Sequence, residues 1–375
     1  MHIAVNTRLL IPDKMDGIGR FTYETLLRIS QNHPEISFTF LFDRKVNFEQ
    51  FNFPENVSIK VLSPPARHPI LWLIWFEIVL KNWVNRNVVD LFISPEGWIP
   101  PTLKCKSLGV IHDLNFEHHP ENIIYSHRTY LKHFFPRFAR RANRIATVSE
   151  FSKADIIQNY QIDSNQIDVV YNGANSVFKP LAETEKQAIK DNYAQGSNYF
   201  IFIGTLHPRK NLEHLFKAFG LFKKTSESEI KLLVVGNRKW WPDTLEKIFQ
   251  ETHSKEDILF LGRMEDEQLA KVLGAALSLT YLPYFEGFGI PILEAFQAKV
   301  PVITSNVTSM PEVAQNAALL CPPKAVEEIA QCMQSLFENE SLRQKLIADG
   351  AQRARDFSWD KTAGLLWGSI EKTLA

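Results

Sequence analysis

The sequence has few of the features that mark special classes of protein. Its three cysteines among 375 residues are too few and too scattered for a disulfide framework or a zinc site. We therefore expect a reducing, cytoplasmic location. No secretory signal is expected, because residues 1–6 have the pattern of a β-strand rather than of a signal peptide. No Asp-x-Asp pair occurs, so no bridging divalent metal ion is expected.

The charge balance argues against a nucleic-acid-binding protein, and the short apolar runs argue against a membrane-spanning one. Lys plus Arg and Asp plus Glu both total 42, so the formal net charge is zero. Because binding to a phosphate backbone needs a basic excess, nucleic acid is not an expected partner. The longest apolar run, residues 70–80, is interrupted by Glu77 and is far shorter than the ~20 residues that span a bilayer. We expect a soluble protein or one attached peripherally to a membrane.

The alternation of strand-like and helix-like segments predicts a doubly wound α/β architecture. The chain is long enough for two domains with separate cores. A first series of short strands is predicted at residues 2–9, 38–42, 58–62, 91–94, 107–111 and 144–148. A second series is predicted at residues 199–203, 230–235, 258–261, 277–281 and 300–304. Residues 359–374 have the pattern of one amphipathic helix.

The predicted domain boundary lies between these two series of strands. Asn172-Gly173 suits a turn, and a polar stretch follows it. We expect a first domain over residues 1–178 and a second over residues 179–358. The terminal helix, residues 359–375, is expected to pack back on the first domain. In open α/β sheets the loops at the carboxyl ends of the strands supply the binding site, here in a cleft between the domains.

Residues 284–295 form the most informative stretch of the chain. A Gly-aromatic-Gly turn precedes an apolar helix that has Pro291 in its first turn, where the missing N–H costs nothing. The free N–H groups of that turn and the positive end of the helix dipole favour an anion. Glu286 lies before the helix, and Glu294 lies about one turn inside it, where an unpaired charge would be costly. A phosphate flanked by two hydroxyl-binding carboxylates suits a nucleotide-sugar. We favour this over the alternative of a helix start with two surface glutamates.

A basic loop follows the predicted strand at residues 199–203. Arg209 and Lys210, adjacent in this strand-to-helix loop, offer a bidentate fork and a point charge that suit a diphosphate. An ordinary solvated basic loop is the alternative. The presence of Glu286 and Glu294 in the same half of the chain makes the diphosphate site the favoured interpretation.

Three segments, in this order and spacing, resemble motifs of the retaining GT-B glycosyltransferases of family four. They are residues 17–20 (Gly-Ile-Gly-Arg), residues 204–211 and the Glu286–Glu294 element. The most similar branch contains the bacterial mannosyltransferases of cell-surface polysaccharide assembly. The resemblance spans essentially the whole chain and implies a GT-B fold, in which two Rossmann-like doubly wound parallel-sheet domains face a deep cleft. The first domain would bind the acceptor, and the second would bind the nucleotide-sugar donor.

The resemblance implies donor-binding roles for residues in the second half of the chain. Arg209 and Lys210 would hold the donor diphosphate and stabilise the nucleoside diphosphate as it leaves. Glu294 would accept hydrogen bonds from the ribose hydroxyls, and Glu286 would hold hydroxyls of the transferred sugar. The backbone N–H groups next to Glu286 would hold a phosphate oxygen, and they belong to Gly287, Phe288, Gly289 and Ile290.

The resemblance also implies a pocket for the base of the nucleotide. The sequence departs from the family pattern at one position. Arg263 and Met264 would line the pocket for the base. Thr205 stands at a donor-binding position where many family members carry an arginine. The positive charge must therefore come from Arg209 and Lys210 alone.

Two motifs in the first half of the chain are candidates for the reacting sugar. His112 ends a predicted strand and can hydrogen-bond a sugar hydroxyl. The resemblance places it near the hydroxymethyl group of the donor sugar, and a structural contact is the alternative. Gly17 and Gly19 belong to a strand-to-helix loop that approaches the donor phosphate in the family. The third glycine of the dinucleotide-binding fingerprint Gly-x-Gly-x-x-Gly is absent here, which argues against dinucleotide binding.

A basic segment rich in aromatic residues covers residues 128–144. It has six lysines and arginines and no acidic residue. Such a helical segment suits an anionic membrane surface or a lipid-diphosphate acceptor, and a solvated helix face over a core is an equally good interpretation. Trp72, Trp75 and Phe76, at helical spacing in an earlier segment, are expected either in the core or along a partly exposed acceptor groove.

We therefore expect retaining transfer of a hexosyl group from a nucleoside diphosphate sugar to a hydroxyl of a saccharide or lipid-linked acceptor. The resemblance implies GDP-mannose as the donor, with UDP-sugars as alternatives, and no cofactor is expected beyond the donor. The sequence offers no evident nucleophilic carboxylate. A front-face route is implied, in which Arg209, Lys210 and a helix dipole stabilise the leaving diphosphate. The alternatives are a nucleotide-sugar epimerase or phosphorylase of the same fold, and a non-catalytic sugar-nucleotide-binding subunit.

Overall fold

The chain folds into two compact units. The computed structural model describes residues 1–12, 15–66, 68–123, 125–238 and 241–375. The first unit is Met1–Gly173 with Ser358–Ala375, and the second is Ala174–Phe357. The chain therefore crosses from one unit to the other twice. Residues 174–178, expected in the first domain, belong to the second unit.

A parallel sheet forms the centre of the first unit. Its strands within the described residues are β1 (His2–Asn6), β2 (Ser37–Phe42), β3 (Val57–Val61), β4 (Leu91–Ser94), β5 (Lys106–Ile111), β6 (Arg144–Thr147) and β7 (Ile167–Val169). Their order across the sheet is β3-β2-β1-β4-β5-β6-β7. Ile3, Ala4 and Val5 in the interior strand β1 have no exposed surface. Such an apolar run on both faces is typical of a parallel strand with helices on both sides of the sheet.

The helices of the first unit include one with an unusual turn. The helices before the first crossing are α1 (Gly17–Asn32), α2 (Pro69–Ile74), α3 (Lys81–Arg86), α4 (Asn115–His118), α5 (Tyr125–Arg141) and α6 (Glu150–Tyr160). Between α2 and α3, Trp75–Leu80 forms a π-helical segment. Residues 69–86 are therefore one continuous helical stretch with a wider turn at its centre, a feature that often marks functional sites.

The second unit has the same plan. Its strands are β8 (Tyr199–Ile203), β9 (Lys231–Val235), β10 (Ile258–Gly262), β11 (Ser278–Tyr281), β12 (Val302–Ser305) and β13 (Leu319–Cys321). They are all parallel and lie in the order β10-β9-β8-β11-β12-β13. Its helices are α7 (Glu183–Ala194), α8 (Leu212–Ser226), α9 (Asp243–Glu251), α10 (Asp266–Gly274), α11 (Ile290–Gln297), α12 (Met310–Ala314), α13 (Val326–Glu338) and α14 (Glu340–Arg353). Two doubly wound parallel sheets confirm the predicted fold class.

The C-terminal helix α15 (Trp359–Leu374) packs on α1 within the first unit. Its inner face buries Trp359, Leu366 and Ile370. The ring of Trp367 stacks on His33 with 3.6 Å between the ring centroids. The end of the chain thus completes the unit in which the chain begins. Within the described residues, none of the helices has the length and hydropathy needed to cross a bilayer.

Candidate active site

A buried asparagine holds the basic loop after β8 against the rest of the second unit. Asn211 is 1% exposed and adopts a left-handed backbone conformation with φ of 63°, which asparagine tolerates. Its side-chain amide donates hydrogen bonds to the carbonyl oxygens of Leu282 at 3.0 Å and Pro323 at 2.5 Å. Arg209 and Lys210 precede it in a single 3₁₀ turn. Their side chains therefore start from a fixed backbone at the carboxyl edge of the sheet.

Glu286 brings the two cations of that loop together. It forms ion pairs with both Arg209 and Lys210 through the same oxygen, Oε1. Lys210 Nζ also donates a hydrogen bond to the hydroxyl of Tyr281 at 2.6 Å. The side chains of Arg209, Lys210 and Glu286 are 25%, 10% and 11% exposed. We call these four residues (Arg209, Lys210, Tyr281 and Glu286) the ion cluster.

The surroundings keep Glu286 ionised. Burial alone would raise the pKa of this carboxyl, but the charges of Arg209 and Lys210 and the hydrogen bonds from Lys210 and Tyr281 lower its pKa below the ordinary value of 4.5. Burial raises the pKa of Tyr281 well above 10, so its hydroxyl stays protonated. Two cations and one carboxylate leave the ion cluster with a single net positive charge. The cluster can therefore bind a further anion.

The turn before α11 directs the start of that helix toward the ion cluster. Gly289 has φ of 101°, and a Cβ atom there would lie 2.8 Å from Cε of Met310. Only glycine adopts this conformation easily. Pro291 lies in the first turn of the helix, and the hydroxyl of Ser309 donates to the carbonyl oxygen of Glu286 at 2.8 Å. The first N–H groups of α11 and its dipole add positive potential beside the ion cluster.

The other candidate residues of this turn and of α11 differ in what they can offer a ligand. Phe288 is 3% exposed, and its ring packs against Phe357 with 5.7 Å between centroids. Phe288 and the buried Gly287 therefore present no polar side chain to a ligand. Glu294 is partly buried on α11, and its charge helps to raise the pKa of Tyr281. Glu294 therefore belongs to the surroundings of the ion cluster.

The expected donor-binding residue Thr205 lies at the same sheet edge as the residues expected at the base pocket. Thr205 follows β8 and is exposed, whereas Arg263 and Met264 follow β10. Gly262 ends β10 with φ of 70°, which turns the chain away from the sheet. Because β8, β9 and β10 are parallel neighbours, these loops leave the sheet at one edge. Across the described ranges, no group of three or more His, Cys, Asp or Glu side chains is placed to hold a metal ion.

His112 lies at the carboxyl end of β5 in the first unit, where the sequence places it. Its Nε2 lies 2.9 Å from the carbonyl oxygen of Pro95, so Nε2 carries the hydrogen and Nδ1 of the neutral ring is an acceptor. The ring of Phe21 packs edge-on against it at 5.0 Å. Burial lowers the pKa of His112 below 6.5. At neutral pH this side chain can therefore accept a hydrogen bond from a sugar hydroxyl.

The glycine motif of the first unit lies inside α1, not in the loop before it, which corrects the prediction for Gly17 and Gly19. The helix begins at Gly17 because the carboxylate of Asp16 caps it, accepting the N–H of Gly19 at 2.9 Å. A Cβ atom at Gly19 would lie 3.1 Å from the carbonyl oxygen of Leu9. Asp16 also lies near enough to His112 to influence its pKa. The start of α1 and His112 thus belong to one region.

The structure adds a polar cluster that the sequence analysis did not single out. Arg8 and Glu96 form a buried ion pair, and the amide of Asn6 donates to Glu96 at 2.6 Å. Asn6 ends β1, Arg8 follows it, and Glu96 follows β4, all at the same sheet edge as His112. A polar residue directly after an apolar strand is the signal that would have revealed them. It was hidden because the predicted first strand ran to residue 9, whereas β1 ends at Asn6.

Known proteins match this chain over almost its full length. The family described as Glycosyltransferase Family 4 matches residues 15–177, and the family described as Glycosyl transferases group 1 matches residues 183–353. O-antigen chain mannosyltransferase B of Escherichia coli is 30% identical over 361 residues, which cover 92% of this chain and 93% of that protein. O-antigen chain mannosyltransferase RfbU of Salmonella typhimurium is 27% identical over 281 residues, or 74% of each chain.

Solved structures match the fold. WaaG, a glycosyltransferase involved in lipopolysaccharide biosynthesis, has a TM-score of 0.75 at 14% identity and covers 96% of this chain and 97% of its own. HepE of Anabaena, in complex with UDP and glucose, has a TM-score of 0.76 at 15% identity and covers 99% and 100%. The two parallel-sheet units therefore have the GT-B glycosyltransferase fold. The chain belongs to the group 1 glycosyltransferases of family four. Its relatives do not favour an epimerase or an inert binding subunit.

Proposed function

We propose that this glycosyltransferase moves a mannosyl group from GDP-mannose to a hydroxyl of a saccharide or lipid-linked saccharide, with retention of the anomeric configuration. Two relatives named as O-antigen mannosyltransferases support the choice of sugar. The second unit is proposed to bind the donor and the first unit the acceptor.

The ion cluster at the start of α11 is the observation that carries the proposal. Arg209 presents a planar fork and Lys210 a point charge, and both lie in a largely dry environment. Charges in such surroundings act more strongly on a diphosphate than the same charges in water. Glu286 keeps both cations in place before the donor arrives. Glu294, further along α11, is proposed to accept hydrogen bonds from the ribose hydroxyls.

Departure of the nucleoside diphosphate places negative charge on its terminal phosphate. Arg209, Lys210 and the N–H groups of Gly287 to Ile290 are proposed to neutralise that charge, so protein groups do the work that a divalent ion does elsewhere. We therefore propose that the reaction is independent of metal ions. Arg263 and Met264 are proposed to line the pocket for the base.

Retention is proposed to follow from attack on the face from which the diphosphate departs. A phosphate oxygen then takes the proton of the acceptor hydroxyl, and positioning rather than a protein nucleophile supplies the catalysis. The Nδ1 atom of His112 is proposed to accept a hydrogen bond from a hydroxyl of the transferred sugar. The first turn of α1, with Gly17 and Gly19, is proposed to approach the phosphates through its N–H groups.

A transfer assay tests the donor, the stereochemistry and the metal requirement together. Purified protein is incubated with GDP-mannose and methyl α-mannoside in the presence of EDTA, and the product is examined by NMR. We expect release of GDP and a disaccharide with a new α-linkage. In a thermal-shift panel, GDP-mannose should raise the melting temperature more than UDP-glucose or UDP-galactose, since a donor at 100 times its Kd stabilises the native state by about 2.7 kcal/mol.

Each part of the proposal has its own contrary result. Greater stabilisation by a UDP-sugar would exclude GDP-mannose as the preferred donor. A β-linked product would exclude retention, and loss of turnover in EDTA would exclude metal independence. Free GDP with an epimerised free sugar would identify an epimerase instead.

We also propose that α5 holds the enzyme at the inner face of the cytoplasmic membrane. Two of its basic side chains serve the fold, since Arg140 donates to the carbonyl oxygen of Tyr160 and Arg141 to that of Leu103. Beyond the helix, Arg144 pairs with Asp168. Lys132 and Arg137 are exposed. These two, with Arg128, are the side chains proposed to contact anionic headgroups.

Sedimentation with lipid vesicles tests the membrane proposal. We expect binding to phosphatidylglycerol vesicles and little binding to phosphatidylcholine vesicles. Because each basic residue near an anionic surface contributes about 1 kcal/mol, the double variant K132E/R137E should bind at least tenfold more weakly. Lys345→Glu, an exposed charge reversal on α14 in the second unit, is the matched control. Equal binding of the double variant and the control would overturn the proposal.

A further inference from the structure

A row of aromatic rings lies between the helical stretch at residues 69–86 and α5. The ring centroids of Trp72 and Trp98 are 4.4 Å apart, those of Trp98 and Tyr130 are 5.5 Å apart, and those of Tyr130 and Phe134 are 4.6 Å apart. Trp98 is buried, whereas Trp72, Tyr130 and Phe134 are partly exposed. We call these four residues the aromatic row. Three of the four side chains of the row therefore keep part of their surface exposed, where a ligand can reach them.

Two polar atoms beside these rings have no hydrogen-bond partner within the described part of the chain. They are Oε1 of Glu77 and the hydroxyl oxygen of Tyr130, and both are buried. Burial raises the pKa of Glu77 against the opposing charge of Lys81. Burial also raises the pKa of Tyr130, and the charge of Glu77 raises it further. The helical stretch that carries Glu77 packs on α5 here, with 6.3 Å between the ring centroids of Trp72 and Tyr130. An acceptor and a donor left unsatisfied at one place call for an explanation, since folded proteins pair nearly all buried polar groups.

The backbone around Glu77 is irregular as well. Glu77 lies in the π-helical segment Trp75–Leu80, between the buried Trp75 and Phe76 and the buried Leu80. A π segment widens the helix by one residue in a turn and often marks a functional site. Here the wider turn places the carboxylate of Glu77 next to Tyr130 of α5. A regular amphipathic helix would have an apolar side chain at such a position.

The aromatic row begins beside the region of His112. The guanidinium carbon of Arg8 lies 4.8 Å from the ring centroid of Trp72. Arg8 pairs with Glu96, and Glu96 and Trp98 lie on the loop after β4 whose Pro95 carbonyl oxygen accepts from His112. The charge of Arg8 is therefore already balanced, and the row favours a neutral ligand over a phosphate.

We propose that the aromatic row, with Glu77, binds the terminal hexose of the acceptor. A hexose has an apolar C–H face that packs on aromatic rings and a rim of hydroxyls that both donate and accept hydrogen bonds. Its C–H face lies on the exposed parts of Trp72 and Tyr130. Rotation of the Glu77 and Tyr130 side chains toward the hexose lets one hydroxyl donate to Glu77 and another accept from the Tyr130 hydroxyl. The choice of a neutral saccharide rests on the proposed function, whereas the location rests on the unsatisfied atoms and the ring faces alone.

Saccharide binding without donor tests the location. Methyl α-mannoside and α-mannobiose are titrated into the full-length protein, and tryptophan fluorescence is followed because two tryptophans lie in the row. We expect a saturable change that is at least fivefold weaker in Tyr130→Phe and in Glu77→Met. Both substitutions remove an unsatisfied polar atom, so the melting temperature of the free variants should be equal to or higher than that of the wild type. Glu55→Gln, an exposed carboxylate of the first unit, is the matched control and should change nothing.

Steady-state kinetics separate acceptor binding from a purely structural role. In the two variants we expect the acceptor KM to rise at least fivefold while hydrolysis of the donor by water keeps its wild-type rate. An unchanged acceptor KM, or a lower melting temperature with slower donor hydrolysis, would overturn the inference. No saccharide binding by the wild type would also overturn it. Saccharide binding that depends on Glu77 and Tyr130 would support it even if GDP-mannose proved to be the wrong donor.

Discussion

At the scale of single residues, the two cations of the ion cluster are oriented before any ligand arrives. Arg209 and Lys210 share one oxygen of Glu286, and Lys210 is also held by the Tyr281 hydroxyl. A diphosphate that enters this site meets charges that need little reorganisation, which is the condition under which electrostatic stabilisation of a leaving group is largest. Glu286 thus acts on its neighbouring cations, in addition to the contact with the sugar that we propose for it.

Replacement of Lys210 by Ala is expected to lower kcat with GDP-mannose by about 10²- to 10³-fold. This is the usual effect of removing one fixed hydrogen-bonding group from an oxygen that becomes negative in the transition state. Arg209 still pairs with Glu286 in this variant, so only a modest fall in melting temperature is expected. Steady-state kinetics and calorimetry measure the two effects. Lys217→Ala is the control, because its exposed pair with Glu213 on α8 contributes only about 0.3–0.5 kcal/mol. A Lys210→Ala enzyme with wild-type kcat would remove Lys210 from the site.

The second residue-scale prediction concerns the pH dependence of His112. Burial lowers the pKa of His112 in the folded protein, so its neutral ring persists below pH 6.5. We expect kcat/KM to be level from neutral pH down to 6.5 and to fall below that value, as Nδ1 gains a proton and stops accepting. The free energy of unfolding falls in the same window, because the unfolded chain takes up its proton at a higher pH than the folded one.

The variant His112→Gln checks this assignment. It should lower kcat/KM about tenfold, the effect of one lost hydrogen bond, and abolish the part of the acid fall that belongs to His112. His253→Gln, an exposed histidine of the second unit, should keep the wild-type profile. Identical acid profiles for wild type and His112→Gln would show that another group sets the pH dependence.

At the scale of elements, the conformation of one glycine decides how α11 presents its N–H groups. Gly289→Ala places a side chain at φ of 101°, and its Cβ displaces the end of Met310. We expect a loss of at least about 1–2 kcal/mol in the free energy of unfolding, from the backbone conformation alone. The donor KM should rise as well, because the first turn of α11 moves relative to the ion cluster.

Denaturant unfolding and donor kinetics measure these two effects. Gly364→Ala is the control, since Gly364 lies within α15 with no neighbouring atom within 4 Å of the added Cβ. Alanine should stabilise that helix by roughly 0.5–1 kcal/mol. A Gly289→Ala variant with unchanged donor KM would show that the turn does not position the phosphate-binding N–H groups.

The elements that the sequence predicted well are those with long apolar runs or clear periodicity. Strand β8 and helix α15 have the predicted bounds, whereas β7 and β13 were not predicted, because three residues are too few to show a pattern. The π-helical segment could not be predicted either, since it leaves the spacing of apolar residues close to that of a helix. The sequence predicted Arg209, Lys210 and Glu286 as site residues. It could not predict that they form ion pairs with one another. Arg209 and Glu286 are separated by 77 positions, and only the fold brings them together.

At the scale of the whole molecule, two separate hydrophobic cores imply two unfolding steps. One core contains Trp75, Phe92 and Phe138, and the other contains Phe200, Phe216 and Met333. Two such units often unfold separately. The first unit is closed by α15, which comes from the far end of the chain. Its stability therefore depends on both chain ends, whereas the second unit is one continuous segment.

Deletion of residues 358–375 is expected to lower the stability of the first unit alone. The deletion removes the buried side chains of Trp359, Leu366 and Ile370 from the face of α15 that packs in this unit. Burial of a large apolar side chain contributes about 1.5–3 kcal/mol, so these three account for roughly as much free energy as the net stability of a domain.

Differential scanning calorimetry should show one transition shifted down or lost. The other transition should stay in place and rise with GDP-mannose, because the donor is proposed to bind the second unit and stabilises only the unit that binds it. The variant Leu365→Ala, at an exposed position of the same helix, should leave both transitions unchanged. If GDP-mannose instead raised the transition that the deletion affects, the donor would have to be assigned to the first unit.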